Sequence, residues 1–87
     1  IYTKKTLVID IGGGSTETVI GLKGDLIHVN SEKLGTIRLT KRFFENGYTT
    51  KDQIKKCREF IKGEWAPEIR LLENIGFDTV VGTSGTI

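Results

Sequence analysis

The sequence is poor in the residues that cross-link a chain or bind metals through sulfur and imidazole. Its 87 residues include one cysteine, one histidine and no methionine. The single cysteine, Cys57, excludes an internal disulfide and suits a reducing compartment. No second histidine exists and no cysteine lies near His28, so we interpret His28 as a strand residue and not as a metal ligand. Because methionine is absent and the chain starts at Ile1, we expect a piece of a longer protein.

Long apolar runs and a strong net charge are also missing. No apolar stretch approaches the ~18 residues that a membrane helix needs, and residues 1–11 lack the apolar core and cleavage site of a signal peptide. We therefore expect a cytoplasmic protein with no membrane partner. The net charge of +2 is too small to indicate nucleic acid, and no aromatic residues are interleaved with the basic residues of the middle of the chain. We therefore expect no nucleic-acid partner. We interpret the basic residues in the middle of the chain as a solvated helix face, and the alternative is a weak binding track for a polyanion.

The most informative stretch is a short apolar run that ends in a carboxylate and is followed by glycines, hydroxyls and a second carboxylate. In chain order these residues are Asp10, Gly12, Gly13, Gly14, Ser15, Thr16 and Glu17. Glycine permits positive φ and has no Cβ, so backbone N–H groups can close around an anion such as phosphate. Asp10 beside an anion is unfavourable unless a cation intervenes, which predicts a metal–phosphate site. From spacing alone, a tight glycine turn between two antiparallel strands fits equally well.

Other glycine motifs are excluded by the residues that follow. Glu17 replaces the last glycine of the dinucleotide-binding fingerprint, and no Lys-Ser or Lys-Thr stands at P-loop spacing. Ser15 cannot belong to a nucleophile elbow, because Glu17 again stands where the second flanking glycine is required.

Periodicity and turn residues predict an α/β chain in which a three-stranded antiparallel meander precedes the helices and a further strand. The strands are expected at residues 6–11, 16–22, 26–31 and 77–81. A short helix should begin with Thr36 as its N-cap and end at Asn46-Gly47. Thr50 and Gln53 have the spacing of a capping box, which predicts the start of a second helix. Pro67 is expected to interrupt this second helix and to begin a further helical piece.

A second glycine turn is expected where the last strand ends. It comprises Gly82, Thr83, Ser84 and Gly85, and Thr86 would start the next helix. In open α/β sheets, ligands bind beyond the carboxyl ends of the strands, so we expect this turn to lie at the ligand site.

Three stretches together resemble the Ppx/GppA family, the exopolyphosphatases and guanosine pentaphosphate phosphohydrolases of the actin/Hsp70/sugar-kinase superfamily. They are Asp-Ile-Gly-Gly-Gly-Ser-Thr-Glu at 10–17, Leu-Gly-Thr-Ile-Arg-Leu-Thr-Lys-Arg-Phe at 34–43 and Val-Gly-Thr-Ser-Gly-Thr-Ile at 81–87. The first is similar to the second phosphate loop of that family. The resemblance implies a partial ribonuclease-H-like (actin-like ATPase) fold, with residues 1–87 as the start of the second such domain of a longer protein.

The resemblance also implies an activity: release of the terminal phosphate of polyphosphate or guanosine pentaphosphate by metal-assisted attack of water. It implies Mg²⁺ as cofactor, with Asp10 and Glu17 as catalytic and metal-binding residues. The expected contacts to substrate phosphate are Gly12, Gly13, Gly14, Ser15, Thr16, Arg38, Gly82, Thr83, Ser84 and Gly85. Arg38 lies near a helix start, where an arginine gains nothing from the helix dipole; this favours an anion contact, and an exposed arginine is the alternative.

In the family, the first phosphate loop and the glutamate taken as the base lie upstream of this segment. We therefore expect the isolated chain to have little or no activity, and its partners to be the substrate and the missing upstream domain. The resemblance leaves room for a homodimer of the longer protein. Two other functions stay open: an ATP-binding kinase or ATPase of the same superfamily, and a non-catalytic module that senses a phosphorylated ligand.

Overall fold

Three strands, two helices and a fourth strand follow one another along the chain. The computed structural model describes residues 4–85. Its elements are β1 (Thr6–Ile11), β2 (Thr16–Leu22), β3 (Asp25–Glu32), α1 (Thr36–Phe43), α2 (Lys51–Ile75) and β4 (Thr79–Ser84). The strand order in the sheet is β3-β2-β1-β4, with β1, β2 and β3 antiparallel and β4 parallel to β1. The predicted α/β class, a meander followed by helices and a further strand, is confirmed.

The two faces of the sheet carry different residues because side chains alternate along each strand. Leu7 lies opposite Ile20 across β1 and β2, and both are buried together with Leu72 of α2. Ile9 and Ile75 pack against this small core. Helix α2 therefore covers one face of the sheet, and the residues that alternate with Leu7 and Ile9 in β1 lie on the other.

A buried polar cluster also joins α2 to the sheet. The Glu68 side chain is only 2% exposed, and its carboxylate accepts a hydrogen bond from the Thr18 hydroxyl of β2. The same carboxylate contacts His28 Nε2 of β3 at 2.9 Å. His28 is thus a half-buried strand residue whose ring is held by a carboxylate of α2.

Helix α2 is continuous, so the predicted break at Pro67 is wrong. The helix runs from Lys51 to Ile75 with Pro67 inside it. A proline ring removes a backbone donor and crowds the carbonyl four residues earlier, here that of Gly63, and the helix nevertheless continues through it. The predicted capping box is present: Gln53 N donates to Thr50 Oγ1 at 3.1 Å, and Thr50 N to Gln53 Oε1 at 2.9 Å. Within residues 4–85, no helix is long and apolar enough to span a membrane.

Several predicted boundaries differ from the structure. Strand β3 is one residue longer at each end than the predicted 26–31, and β4 starts at Thr79 and not at residue 77. Helix α1 ends at Phe43, before the predicted stop at Asn46-Gly47, and its N-cap is Gly35 and not Thr36. Strand β4 continues through Ser84, so the predicted turn at 82–85 is wrong except for Gly85, which forms a bend. Parallel pairing with β1 extends this strand, because each residue of β4 has a partner in β1. The helix start expected at Thr86 lies outside the described residues.

Candidate active site

Strand pairing places four polar side chains in one row on the sheet face opposite α2. Asp10 of β1 lies directly opposite Glu17 of β2. On one side of this pair, Ser31 of β3 lies opposite Glu17, and on the other side Thr83 of β4 lies opposite Asp10. The row therefore crosses all four strands and has two carboxylates at its centre and a hydroxyl at each end.

The hydroxyls of the site are bonded to the two carboxylates. Ser15 Oγ donates to Glu17 Oε2 at 2.6 Å, and Ser31 Oγ donates to the same oxygen at 2.8 Å. Thr83 Oγ1 donates to Asp10 Oδ1 at 2.8 Å. Among the described residues nothing donates to the second oxygen of either carboxylate. Each carboxylate is thus held by one oxygen and can bind a ligand through the other.

The same hydroxyls keep Glu17 ionised. The hydrogen bonds from Ser15 and then Ser31 lower the pKa of Glu17 below its ordinary value of 4.5, with burial opposing them. A general base is most effective when its pKa lies near the working pH. A carboxylate with a lowered pKa is better suited to binding a cation or orienting a water molecule than to removing a proton.

Two like charges directly opposite each other on neighbouring strands destabilise a sheet unless something compensates them. Asp10 and Glu17 form such a pair. No group of three or more histidine, cysteine, aspartate or glutamate side chains is arranged for a metal ion within residues 4–85. Magnesium, however, is usually held by one or two carboxylates together with substrate phosphates and water. The donor set of Asp10 and Glu17 fits that mode of binding and does not form an all-protein cage.

The glycine loop, residues 12–15, is fastened to the first turn of α1 through its carbonyls. Three successive glycine carbonyls accept hydrogen bonds from that turn. The bonds are Thr36 N to Gly12 O (3.0 Å), Ile37 N to Gly13 O (2.9 Å) and Arg38 Nε to Gly14 O (2.7 Å). The loop carbonyls thus take the place of an N-cap side chain for α1, which has none.

The amides of the loop have fewer partners than its carbonyls among residues 4–85. The N–H groups of Gly13, Gly14 and Ser15 donate to no acceptor in the part of the chain that the structure describes. The Gly12 amide differs, because it donates to Ser15 O at 2.8 Å. None of the three loop glycines has a positive φ, so the loop does not use the left-handed conformations that glycine permits. Three amides, not the five expected at 12–16, form the candidate anion contact.

Gly35 is required for the close approach between the loop and α1, whereas a Cβ on Gly13 would meet only the end of a flexible side chain. A Cβ on Gly35 would lie 2.1 Å from Gly13 O and 2.3 Å from Gly13 C. A Cβ on Gly13 would lie 2.9 Å from Ile37 Cδ1. No other residue would allow the backbone at Gly35 to pack so tightly on the loop.

The remaining predicted contacts divide into those near the loop and those directed elsewhere. Arg38 is exposed and bonded to the loop, which keeps its guanidinium beside the glycines. Thr16 is buried, and its hydroxyl donates to Leu34 O at 2.9 Å, so it supports the framework. In the predicted turn at 82–85, the Thr83 hydroxyl is bonded to a carboxylate of the row.

Two features of the site were missed in the sequence. Ser31 bonds to Glu17, but its place opposite Glu17 depends on the strand register, which a bulge between Ile20 and Gly21 shifts. The close packing of Gly35 against the glycine loop is not predicted from the sequence, although Gly35 lies within one of the three stretches that resemble the family. A glycine directly before a helix, where an N-cap side chain is favoured, was the available signal.

Comparison with known proteins identifies the family of this chain. A profile of the Ppx/GppA phosphatase family matches residues 1–87. The chain belongs to the Ppx/GppA phosphatase family. It is 35% identical over 83 residues to the guanosine-5'-triphosphate,3'-diphosphate pyrophosphatase of Photobacterium profundum, an alignment that covers 95% of this chain and 17% of that protein.

Solved structures of the family have the same fold. The Ppx/GppA phosphatase of Aquifex aeolicus superposes with a TM-score of 0.77 at 34% identity, over 97% of this chain and 26% of that one. An exopolyphosphatase from Cytophaga hutchinsonii superposes with a TM-score of 0.80 at 27% identity, over 94% and 26%. The partial actin-like fold expected from the family resemblance is therefore confirmed. This Ppx/GppA chain spans about a sixth to a quarter of the length of these relatives.

Proposed function

We propose that this chain is one part of a phosphoanhydride hydrolase that removes the terminal phosphate of inorganic polyphosphate or guanosine pentaphosphate. The observation that carries the proposal is the Asp10–Glu17 pair beside a loop whose carbonyls are bound to α1 and whose amides are left for an anion. In the reaction the oxygen of a water molecule forms a bond to the terminal phosphorus, and the bond between that phosphorus and the bridging oxygen breaks. The products are orthophosphate and a chain that is shorter by one phosphate.

In this proposal the residues of the chain bind the phosphate and orient the water. The amides of Gly13, Gly14 and Ser15 hold the terminal phosphate, since backbone N–H groups fixed in advance stabilise charge that develops in the transition state. Glu17, kept ionised by two hydroxyls on Oε2, would use Oε1 either to hold the cation or to orient the attacking water. The Arg38 guanidinium offers a further cationic contact at the loop.

We further propose Mg²⁺ as the cofactor, held by Asp10 and Glu17 through their open oxygens. When bound, it would neutralise phosphate oxygens and relieve the repulsion between the two carboxylates.

We also propose that the chain is the start of the second ribonuclease-H-like domain and that an upstream domain supplies the base. This assignment rests on the share of the relatives that the chain spans and on the lowered pKa of Glu17, which makes Glu17 a poor general base. In the same proposal the protein is cytoplasmic.

The test is phosphate release from long-chain polyphosphate, with and without magnesium. Phosphate release is measured for this chain and for the longer protein that adds the upstream domain. It is also measured for the Glu17→Ala and Glu73→Ala variants of the longer protein. Glu73 is an exposed carboxylate of α2, distant from the row in sequence, and serves as the matched control. We expect magnesium-dependent release from the longer protein only, lost in Glu17→Ala and retained in Glu73→Ala. Binding without release by the longer protein would instead identify a sensor, and full turnover by the isolated chain would contradict the division of the site between two domains.

A further inference from the structure

The polar row ends in a hydroxyl on each side, and each of these hydroxyls comes from a different outer strand of the described sheet. Ser31 is in β3 and Thr83 is in β4. In the strand register Ser31 lies opposite Glu17, and Thr83 lies opposite Asp10. The strand order β3-β2-β1-β4 therefore puts one hydroxyl on each outer side of the carboxylate pair.

Each outer hydroxyl holds one oxygen of the neighbouring carboxylate. Ser31 Oγ donates to Glu17 Oε2 at 2.8 Å, and Thr83 Oγ1 donates to Asp10 Oδ1 at 2.8 Å. Because both donors lie on the outer sides of the pair, the bonded oxygens are drawn outward. The other oxygens, Oε1 of Glu17 and Oδ2 of Asp10, are left on the inner side, and rotation of either carboxylate would break its hydrogen bond.

The proton of each outer hydroxyl is already used. A hydroxyl has one proton to donate, and an ionised phosphate oxygen can only accept. While Thr83 donates to Asp10, it cannot also donate to a phosphate, although the family resemblance led us to expect a phosphate contact there. The same holds for Ser31, which donates to Glu17. Both hydroxyls thus act on the carboxylates and not on the substrate.

These two hydroxyls differ from that of Ser15, which also donates to Glu17 Oε2. Ser15 belongs to the glycine loop, so its hydroxyl moves with the amides that form the candidate anion contact. Ser31 and Thr83 are fixed by strand pairing. Groups carried by strands are placed more precisely than groups carried by loops.

We propose that Ser31 and Thr83 are positioning residues that hold Glu17 and Asp10 so that the inner oxygens of both carboxylates share one divalent cation. The proposal rests on the proposed function, because it concerns the cation site named there. Removal of a hydrogen-bond partner of a metal-binding carboxylate changes metal affinity by about 10- to 100-fold. Both hydrogen bonds lie at exposed positions, so we expect the lower end of that range.

The experiment measures the affinity of the chain for Mg²⁺ alone, from the carboxyl carbon shifts of Asp10 and Glu17 in an NMR titration. Thr83→Val removes a hydroxyl and keeps the shape of the side chain, whereas Thr83→Ser keeps the hydroxyl. Ser31→Ala and Ser31→Thr form the corresponding pair. The matched control is Thr79→Val, which makes the same change in β4 on the same face, opposite Thr6 and outside the row.

We expect the dissociation constant of Mg²⁺ to rise about 10-fold in Thr83→Val and in Ser31→Ala. The hydroxyl-keeping variants, Thr83→Ser and Ser31→Thr, should bind Mg²⁺ nearly as the parent does, and Thr79→Val should bind it equally well. A merely structural role would not produce this recovery with the conservative variants.

Unchanged Mg²⁺ affinity in both Thr83→Val and Ser31→Ala would overturn the positioning role and leave the proposed function intact. An equal loss in Thr79→Val would also overturn it, because any threonine of this face would then have the same effect. Losses that the conservative variants do not recover would show that the hydroxyls are not the cause. If the two carboxyl carbons of the parent do not respond to Mg²⁺, with or without tripolyphosphate, the cation site of the proposed function fails as well.

Discussion

Replacing Gly35 with alanine tests the contact on which the geometry of the glycine loop depends. The new Cβ would lie 2.1 Å from Gly13 O, whereas ordinary contacts begin near 3.4 Å. The loop or α1 must therefore move by more than an ångström. A movement of that size breaks the bonds from Thr36 N to Gly12 O and from Ile37 N to Gly13 O, now 3.0 and 2.9 Å long. Two lost hydrogen bonds and the overpacking together cost about 3–5 kcal/mol of the free energy of unfolding.

A second glycine supplies the control for this variant. Gly63 lies within α2, and a Cβ there would meet nothing within 4 Å. Gly63→Ala reduces the entropy of the unfolded chain as Gly35→Ala does, so the difference between them isolates the clash. Alanine at this helical position should raise the free energy of unfolding by about 0.5–1 kcal/mol.

The assay is urea denaturation followed by circular dichroism, with both variants compared with the parent chain. A loss of less than about 1 kcal/mol in Gly35→Ala would be within the range of ordinary substitutions and would refute the close approach. A large loss in both variants would show that alanine is harmful at either site for other reasons. The amides of the loop should also shift in the spectrum of Gly35→Ala and remain unchanged in that of Gly63→Ala.

Three further predictions concern stability and ionisation. Glu68→Ala leaves the buried Thr18 hydroxyl and the His28 ring without the carboxylate that they contact. It should lower the free energy of unfolding by about 2–4 kcal/mol in urea denaturation. Glu73→Ala, at an exposed position of α2, should change the free energy of unfolding little. Ser31→Ala should raise the pKa of Glu17 in a carbon NMR titration of its carboxyl group. Because folding lowers this pKa, the stabilisation from Glu17 is complete above its unfolded value near 4.5 and is lost as the pH falls through the folded value. Ser31→Ala should therefore reduce the loss of folding stability in acid. An unchanged pKa of Glu17 would contradict the role given to the Ser31 hydroxyl. Pro67→Ala should raise the free energy of unfolding by about 1–3 kcal/mol, since it restores a backbone donor and removes a ring from a continuous helix; a loss would show that the proline is needed.

The strands were predictable because their signals are local. Alternating and apolar residues bounded by glycine fixed β1 at Thr6–Ile11 and β2 at Thr16–Leu22, with bounds that match the structure. Strand β4 was placed too early because its end depends on a partner distant in sequence. Thr79–Ser84 pairs residue by residue with β1, and that pairing overrides the turn propensity of Gly82.

The chemistry of the candidate site was predictable from residue types, but its geometry was not. Asp10 and Glu17 follow directly from the sequence pattern, and strand pairing brings them together. The hydrogen bonds from the first turn of α1 to the loop carbonyls could not be predicted, because Gly13 and Ile37 are separated in sequence by two strands and their connections. Pro67 shows the reverse case, in which a local rule for a helix break was overridden by a capping box at one end and packing of Leu72 at the other.

We propose that the glycine loop binds phosphate beside a cation held by Asp10 and Glu17. The most direct measurement is a nitrogen–proton NMR titration of the chain with inorganic tripolyphosphate, with and without magnesium. We predict magnesium-dependent shifts centred on the amides of Gly13, Gly14 and Ser15, absent from an Asp10→Asn variant with an otherwise unchanged spectrum. Shifts spread over the basic faces of α1 and α2, with those three amides unaffected and no dependence on magnesium, would contradict the account.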